Sequence, residues 1–225
     1  MKAIFFGSIG SVVETSELQR KSFNDAFAEA GLNWHWDQAS YRAMLRSAGG
    51  RQRIEDYARQ RGEAVDAVAL HARKSQLFQQ ALAQGGVSLR AGVAETLAQA
   101  KDAGLALGFV TSTERATVEI IAGRVKDITS IDFDVMTWRL DNLPGKPDPA
   151  VYTWALDALD LRPQDVVAIE DNRDGVLAAK AAALFTIGFP GENTQASELH
   201  AADVIGAPLQ HLIGQRMAAK TEAAA

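Results

Sequence analysis

The strand and loop at the start of the chain decide its fold class. Residues 2–15 read KAIFFGSIGSVVET. The apolar run Ala3–Phe6 predicts a short strand, and Gly10 predicts a sharp turn soon after it. The polar pair Glu14-Thr15 ends the segment. The chain therefore opens with a strand and a tight loop.

The chain after about residue 88 continues this pattern. Short apolar runs alternate with helical patterns, which is typical of βαβ units and a parallel sheet. The predicted strands are Ala3–Phe6 and residues 105–110, 133–136, 166–169 and 185–187. The predicted helices between them include residues 91–103, 114–122, 149–159 and 175–183. This order predicts an α/β protein with a Rossmann-like, doubly wound parallel sheet.

Residues 16–87 interrupt the pattern because they contain no convincing strand. Leu18, Phe23, Phe27 and Ala30 lie near helical spacing, so this block is predicted to be helical. We therefore expect two parts: an α/β core of residues 1–15 and 88–225, and an inserted helical cap of residues 16–87.

Composition excludes several classes of protein. The chain of 225 residues is 47% apolar and 23% charged, as in a globular protein with a buried core. Its net charge of -5 argues against a nucleic-acid partner, and its first apolar run is too short for a signal peptide or membrane span. The absence of cysteine excludes disulfides and thiolate chemistry. We expect a cytoplasmic protein without nucleic-acid or membrane partners, and the oligomeric state stays open.

Three further motifs follow the first strand in order. One is the strand of residues 105–110 closed by Thr111-Ser112, and the next is the segment GKPDP of residues 145–149. The last is VVAIEDNRDGV, residues 166–176. Together they resemble the motifs of haloacid dehalogenase-like (HAD) hydrolases over nearly the whole chain, especially the sugar-phosphate branch of beta-phosphoglucomutase and xylulose-bisphosphate phosphatase. Residues 31–37 and 48–51 are similar to segments of the cap in the latter.

The first motif departs from the family pattern. The family has Asp-x-Asp-Gly after the strand, where the two aspartates act as nucleophile and as acid/base. Here Gly7 occupies the nucleophile position and Ile9 the acid/base position, so both catalytic carboxylates are missing. Whether the protein is an enzyme is therefore left open by the sequence, and efficient catalysis is not expected.

The resemblance assigns roles to the other motif residues. Because ligands of a doubly wound sheet bind at the carboxyl ends of its strands, these residues should converge there. Thr111, Ser112 and Lys146 match phosphate-binding positions, and Thr111 also suits a helix N-cap. Glu170 and Asp171 match the metal-binding acids; without a carboxylate at residue 7 we expect Mg²⁺ binding to be weakened or absent. In the cap, Arg51 suits a second phosphate of the substrate, with a solvated arginine as the alternative.

Two hypotheses concern the altered site. Lys146 is expected to pair with Glu170 or Asp171, or else to hold an anion without metal. Ser8 is a poor replacement nucleophile, since no histidine base stands in these motifs and strand alternation would point its side chain away from the site.

The leading expectation is a catalytically impaired phosphatase relative that binds a small phosphorylated sugar. One alternative is an active, Mg²⁺-dependent sugar-phosphate phosphatase or phosphomutase with unconventional chemistry. The other is a pseudoenzyme that acts as a protein-binding scaffold.

Overall fold

The chain forms two compact units. The computed structural model describes residues 1–45, 49–85, 87–139, 143–206 and 208–222. The α/β unit comprises Met1–Glu14 and Ser88–Ala225, and the helical unit comprises Thr15–Val87.

A six-stranded parallel sheet is the centre of the α/β unit. Its strand order is β3-β2-β1-β4-β5-β6. The strands are β1 (Ala3–Phe6), β2 (Ala106–Val110), β3 (Val135–Thr137), β4 (Val166–Glu170), β5 (Phe185–Gly188) and β6 (Val204–Ile205). All residues of β1 and β4 are buried, which explains why their sequences, apart from Glu170 at the end of β4, are apolar without alternation.

Helices flank the sheet and make up the helical unit. They are α1 (Ile9–Val12), α2 (Ser16–Glu29), α3 (Gln38–Met44), α4 (Gly50–Arg61), α5 (Ala67–Ala83), α6 (Val93–Asp102), α7 (Arg115–Thr129), α8 (Ala150–Ala158), α9 (Arg173–Ala181) and α10 (Leu209–Glu222). Two 3₁₀ turns, Pro163–Asp165 and Ala196–Leu199, complete the described elements. No described helix has the length and apolar character needed to cross a membrane.

The predicted α/β fold is confirmed, with differences at individual elements. β3 begins at Val135, two residues later than the sequence pattern indicated, and α7 continues to Thr129 instead of ending near residue 122. The sequence pattern did not predict β6 or α10. β6 has only two residues, Val204 and Ile205, and an apolar run of this length is too short to indicate a strand.

The direction of the strand order changes at β1. Phe6 on β1 pairs with Phe109 on β2 and with Ile169 on β4, so the carboxyl ends of three neighbouring strands lie side by side. The chain moves from β1 to β2 and β3 on one side, and then to β4 on the other. Such a switch point opens a crevice at the carboxyl edge, where ligands of this fold class bind.

Aromatic side chains form the core of the helical unit. Trp36 is fully buried; its ring centroid lies 4.8 Å from those of Phe23 and Phe27. Trp34 is also buried and donates from its indole nitrogen to Glu63. Both tryptophans therefore pack the helical unit.

Candidate functional site at the carboxyl edge of the sheet

The motif residues of the α/β unit come together at the carboxyl edge of the sheet. Gly7 directly follows β1, Thr111 directly follows β2, and Glu170 ends β4. Lys146 reaches this edge from the loop before α8, where its ammonium group contacts the backbone carbonyls of Gly7 and Val110. The predicted convergence is therefore present within the α/β unit.

Lys146, Tyr152 and Glu170 form a buried group that we call the Lys146 cluster. Lys146 Nζ lies 2.6 Å from Glu170 Oε1, and the Tyr152 hydroxyl donates to the same oxygen at 2.7 Å. The Lys146 side chain is 8% exposed and the Glu170 side chain is fully buried. The hypothesis that Lys146 pairs with one of the two acids agrees with this geometry, and Glu170 is the partner.

Burial shifts the protonation equilibria of this cluster. It raises the pKa of Glu170, although the Lys146 ammonium and the Tyr152 hydroxyl act in the opposite direction. Burial lowers the pKa of Lys146, and the Glu170 carboxylate opposes that change. For Tyr152, burial and the neighbouring carboxylate both raise the pKa of the phenol. Lys146 and Glu170 thus each partly offset the effect of burial on the other's pKa.

Two glycines leave the space that the Glu170 carboxylate occupies. A Cβ on Gly7 would overlap the Tyr152 hydroxyl and Glu170 Oε1, and a Cβ on Gly175 would overlap both carboxylate oxygens. Glu170 Oε2 is buried and has no hydrogen-bond partner within the described part of the chain. Glu170 could therefore not keep its observed position if residue 7 carried a side chain.

Asp171 belongs to a second, more open arrangement beside this cluster. Its Oδ1 accepts from the Ser8 hydroxyl and from the Asn172 amide, both at 2.7 Å. A Cβ on Gly10 would overlap Asp171 Oδ2, so this residue also lies against the loop after β1. Glu170 and Asp171 are adjacent in sequence but take part in separate hydrogen-bond groups.

The expected direction of the Ser8 side chain was wrong. β1 ends at Phe6, and Ser8 is the N-cap of α1, where its hydroxyl accepts from Ser11 N at 3.1 Å. Strand alternation therefore does not apply to Ser8, and its hydroxyl points to Asp171. Ile9 lies in the first turn of α1 and brings no ionisable group to the loop.

Thr111 and Ser112 lie in the loop between β2 and α7. Thr111 is buried; its amide donates to Thr137 Oγ1 at 2.8 Å, and its own hydroxyl accepts from Thr113 N at 3.3 Å. The N-cap residue of α7 is Glu114, so the alternative role of Thr111 as helix N-cap is not seen. Ser112 is partly exposed and lies 3.9 Å from the Cβ position of Gly145, in the loop that carries Lys146.

Arg51 lies on α4 in the helical unit. Its guanidinium is 3.4 Å from Glu55 Oε1, and its side chain is 61% exposed. Arg51 is therefore an exposed arginine that forms a weak ion pair with Glu55 on the same helix. Ala48, which belongs to the same sequence motif, is outside the described residues.

Comparison with known proteins places the chain in a family. A profile described as haloacid dehalogenase-like hydrolase matches residues 1–183. The protein CbbY of Rhodobacter capsulatus is 36% identical over 207 residues, covering 90% of this chain and 91% of its own length. The chain belongs to the haloacid dehalogenase-like hydrolases.

Solved structures agree with this assignment. CbbY from Rhodobacter sphaeroides in complex with phosphate superposes with a TM-score of 0.79 at 34% identity, over 92% of this chain and 94% of that one. A mutant of the same protein was solved with xylulose-(1,5)bisphosphate. A putative beta-phosphoglucomutase from Thermotoga maritima, at 24% identity and a TM-score of 0.71, shares the fold. The particular relatives are thus CbbY proteins, one of which was solved with phosphate and with a sugar bisphosphate.

HAD phosphatases generally use Mg²⁺, which prefers six oxygen ligands in octahedral geometry. Within residues 1–45, 49–85, 87–139, 143–206 and 208–222, no group of three or more His, Asp or Glu side chains is placed to hold a metal. Glu170 Oε1 is already engaged by Lys146 and Tyr152. Of the two predicted metal-binding acids, Glu170 is therefore committed to the Lys146 cluster, and Asp171 belongs to a separate hydrogen-bond group.

Proposed function

We propose that this protein is a catalytically impaired relative of the sugar-phosphate phosphatases that binds a small phosphorylated sugar. One observation supports the impairment above all. The space beside Gly7, where the family carries its nucleophile, is filled by the Tyr152 hydroxyl and the Glu170 carboxylate. Phosphoryl transfer of this type needs a nucleophile and an acid/base group, and residues 7 and 9 supply neither.

Glu170 is a poor substitute for the missing nucleophile. Its carboxylate is fully buried, and the oxygen nearest the loop after β1 is held by Lys146 and Tyr152. An attacking oxygen would have to give up both interactions and move towards solvent. Glu170 instead serves as the internal counter-ion of Lys146, a role that the family's aspartate could otherwise take.

Ligand binding rests on polar groups at the same edge, of which Ser112 is partly exposed and Thr111 is buried. Thr111 and Ser112 present hydroxyls beside the start of α7, whose N-terminal end favours anions. Lys146 already directs its donors at two carbonyls and Glu170, so it contributes mainly charge to a bound phosphate. Mg²⁺ binding is proposed to be weakened or absent, and the ligand is accordingly bound without a metal.

The helical unit is proposed to act as the cap. Arg51 would offer its guanidinium to a second phosphate, since a planar fork matches phosphate oxygens in two hydrogen bonds. This part of the proposal rests on the sequence motif of residues 49–51 and on the exposure of Arg51.

A second candidate function is supported by one contact. Ser8 Oγ donates to Asp171 Oδ1 at 2.7 Å, so a hydroxyl nucleophile and a carboxylate base are already in hydrogen-bond distance. This arrangement would suit an active phosphatase with unconventional chemistry. Ser8 is 9% exposed and also caps α1, which favours the structural role.

Calorimetric titration with inorganic phosphate and with xylulose bisphosphate tests the binding proposal. The unmodified chain should bind the bisphosphate with and without Mg²⁺. Thr111→Val should weaken binding about tenfold or more, because a hydrogen bond to a charged group contributes about 1.5–3 kcal/mol. Thr153→Val, which removes an exposed hydroxyl on α8, is the matched control. Failure of the unmodified chain to bind any sugar phosphate would contradict the proposal and favour the protein-binding scaffold.

A further inference from the structure

Arg90 joins α1 to the loop after β5 within the α/β unit. It lies two residues after Ser88, where the chain re-enters this unit. Its guanidinium donates to the carbonyls of Gly10 on α1 at 2.6 Å, Phe189 at 3.0 Å and Pro190 at 2.6 Å. One side chain therefore ties the segment that follows β1 to a loop that follows a strand two places away in the sheet.

Arg90 is suited to hold the short helix α1 in place. A helix leaves its last carbonyls without partners inside the helix. Arg90 supplies donors to two of these carbonyls, to Gly10 from its side chain and to Val12 from its backbone amide at 2.9 Å. Its guanidinium carbon also lies 3.6 Å from the centroid of the Phe189 ring. A planar group with several diverging donors fits this position, and a lysine ammonium does not reproduce it.

The segment that Arg90 holds contacts two residues of the candidate site. A Cβ on Gly10 would overlap Asp171 Oδ2, and the Ser8 hydroxyl donates to Asp171 Oδ1 at 2.7 Å. The carbonyl of Gly7, at the start of the same segment, accepts from the Lys146 ammonium. A displacement of α1 would therefore change the surroundings of Asp171 and Lys146 together.

Arg90 also brings a positive charge to this edge of the sheet. Burial lowers the pKa of Arg90, and the carboxylates of Asp171, Glu14 and Glu192 act in the opposite direction, Asp171 most strongly. Asp171 therefore lies within the field of the guanidinium. Because the two charges are opposite, Arg90 reduces the repulsion between Asp171 and an incoming phosphate.

We propose that Arg90 is a positioning residue of the phosphate site. It holds α1, and through α1 the carboxylate of Asp171 and the ammonium of Lys146, in the arrangement that receives the anion. Its own donors are used by backbone carbonyls, so it acts without touching the ligand. This inference rests on the proposed binding of a phosphorylated ligand at this edge, and it assigns part of that binding to a side chain outside the sequence motifs.

Titration of the full chain with inorganic phosphate tests the effect on binding. Arg90→Lys keeps the charge but loses the planar donors, and it should raise the Kd about threefold or more. Arg90→Gln loses both and should raise the Kd about tenfold or more. Arg162→Gln, which removes an exposed arginine paired with Asp165, is the matched control and should leave the Kd unchanged. Thermal unfolding shows whether each variant folds; if Arg90→Gln does not, Arg90→Lys decides. An unchanged Kd in the folded variants would overturn the proposal.

Amide chemical shifts of the ¹⁵N-labelled, ligand-free chain separate positioning from a local structural role. Ser8 and Asp171 are not among the described hydrogen-bond partners of Arg90, yet their amides should shift in Arg90→Lys together with that of Gly10. Shifts confined to the residues that Arg90 contacts and their chain neighbours would overturn the proposal. If the unmodified chain binds no phosphate, the proposed function fails, whereas the shifts of Ser8 and Asp171 still decide whether Arg90 positions this edge.

Discussion

The Lys146 ammonium and the Glu170 carboxylate form an ion pair of 2.6 Å in the interior of the α/β unit. The pair lies beside Gly7, where the family's nucleophilic aspartate is replaced by a residue without a side chain. Loss of that aspartate would leave a buried lysine without a counter-ion, and Glu170 supplies one. Under the proposed function, this ion pair takes the place of the catalytic group at the family site.

Breaking this pair should destabilise the fold strongly. Lys146→Met and Glu170→Gln should each lower the free energy of unfolding by about 3–5 kcal/mol, because each leaves a buried partner uncompensated. The double variant should lose clearly less than the sum. Urea unfolding of the four proteins measures the coupling. Glu119→Gln, which breaks the exposed pair with Arg115, should have no measurable effect. Additive losses in the double variant would show that the pair is not coupled.

The Tyr152 hydroxyl should contribute through Glu170. Tyr152→Phe removes one hydrogen bond to a buried carboxylate and should cost about 1.5–3 kcal/mol of unfolding free energy. In the Glu170→Gln background the same change should cost less, since the acceptor is no longer charged. Urea unfolding in both backgrounds provides the comparison, and equal costs would refute the proposed dependence.

Adding a methyl group at residue 7 should be unfavourable. Gly7→Ala would place its Cβ against Tyr152 and Glu170, and overpacking of this kind costs about 1–3 kcal/mol. Gly123→Ala is the matched control, because it lies within α7 and nothing approaches its Cβ position within 4 Å. That change should stabilise by about 0.5–1 kcal/mol. Stabilisation by Gly7→Ala in thermal unfolding would mean that the space beside residue 7 is open.

Alkaline pH should weaken the helical unit through Tyr41. Burial raises the pKa of Tyr41 from 10.0 to about 12. A group whose pKa is higher in the folded state stabilises it fully below the unfolded value, and that contribution is lost as pH rises from about 10 towards 12. Above pH 10 the loss approaches about 1.4 kcal/mol per pH unit. The free energy of unfolding, measured in urea between pH 8 and 11, should fall more steeply with pH for the unmodified chain than for Tyr41→Phe. Equal slopes would contradict this assignment.

Much of the fold and part of the site could be predicted from the sequence. β1 and β4 are buried on both faces, so their apolar runs stand out, and the motif order gives the convergence of Gly7, Lys146 and Glu170. The direction of the Ser8 side chain was missed because the strand stops at Phe6.

The role of Tyr152 was also missed. Its only signal was an aromatic residue six positions after Lys146, and an aromatic side chain in the predicted helix of residues 149–159 is equally typical of core packing. The position of Glu170 beside Gly7 depends on a contact between residues more than 160 positions apart, which no local pattern reports.

Phosphate release tests the central claim most directly. Sugar monophosphates and bisphosphates, including xylulose bisphosphate, would be incubated with Mg²⁺ and either the unmodified chain or Gly7→Asp/Ile9→Asp. An aspartate at residue 7 can take over the ion pair with Lys146 only if Glu170 moves from its present place. We predict no turnover above background by the unmodified chain and measurable turnover by the double variant. Robust turnover by the unmodified chain that is lost in Ser8→Ala or Asp171→Asn would contradict the account and identify the Ser8–Asp171 contact as catalytic.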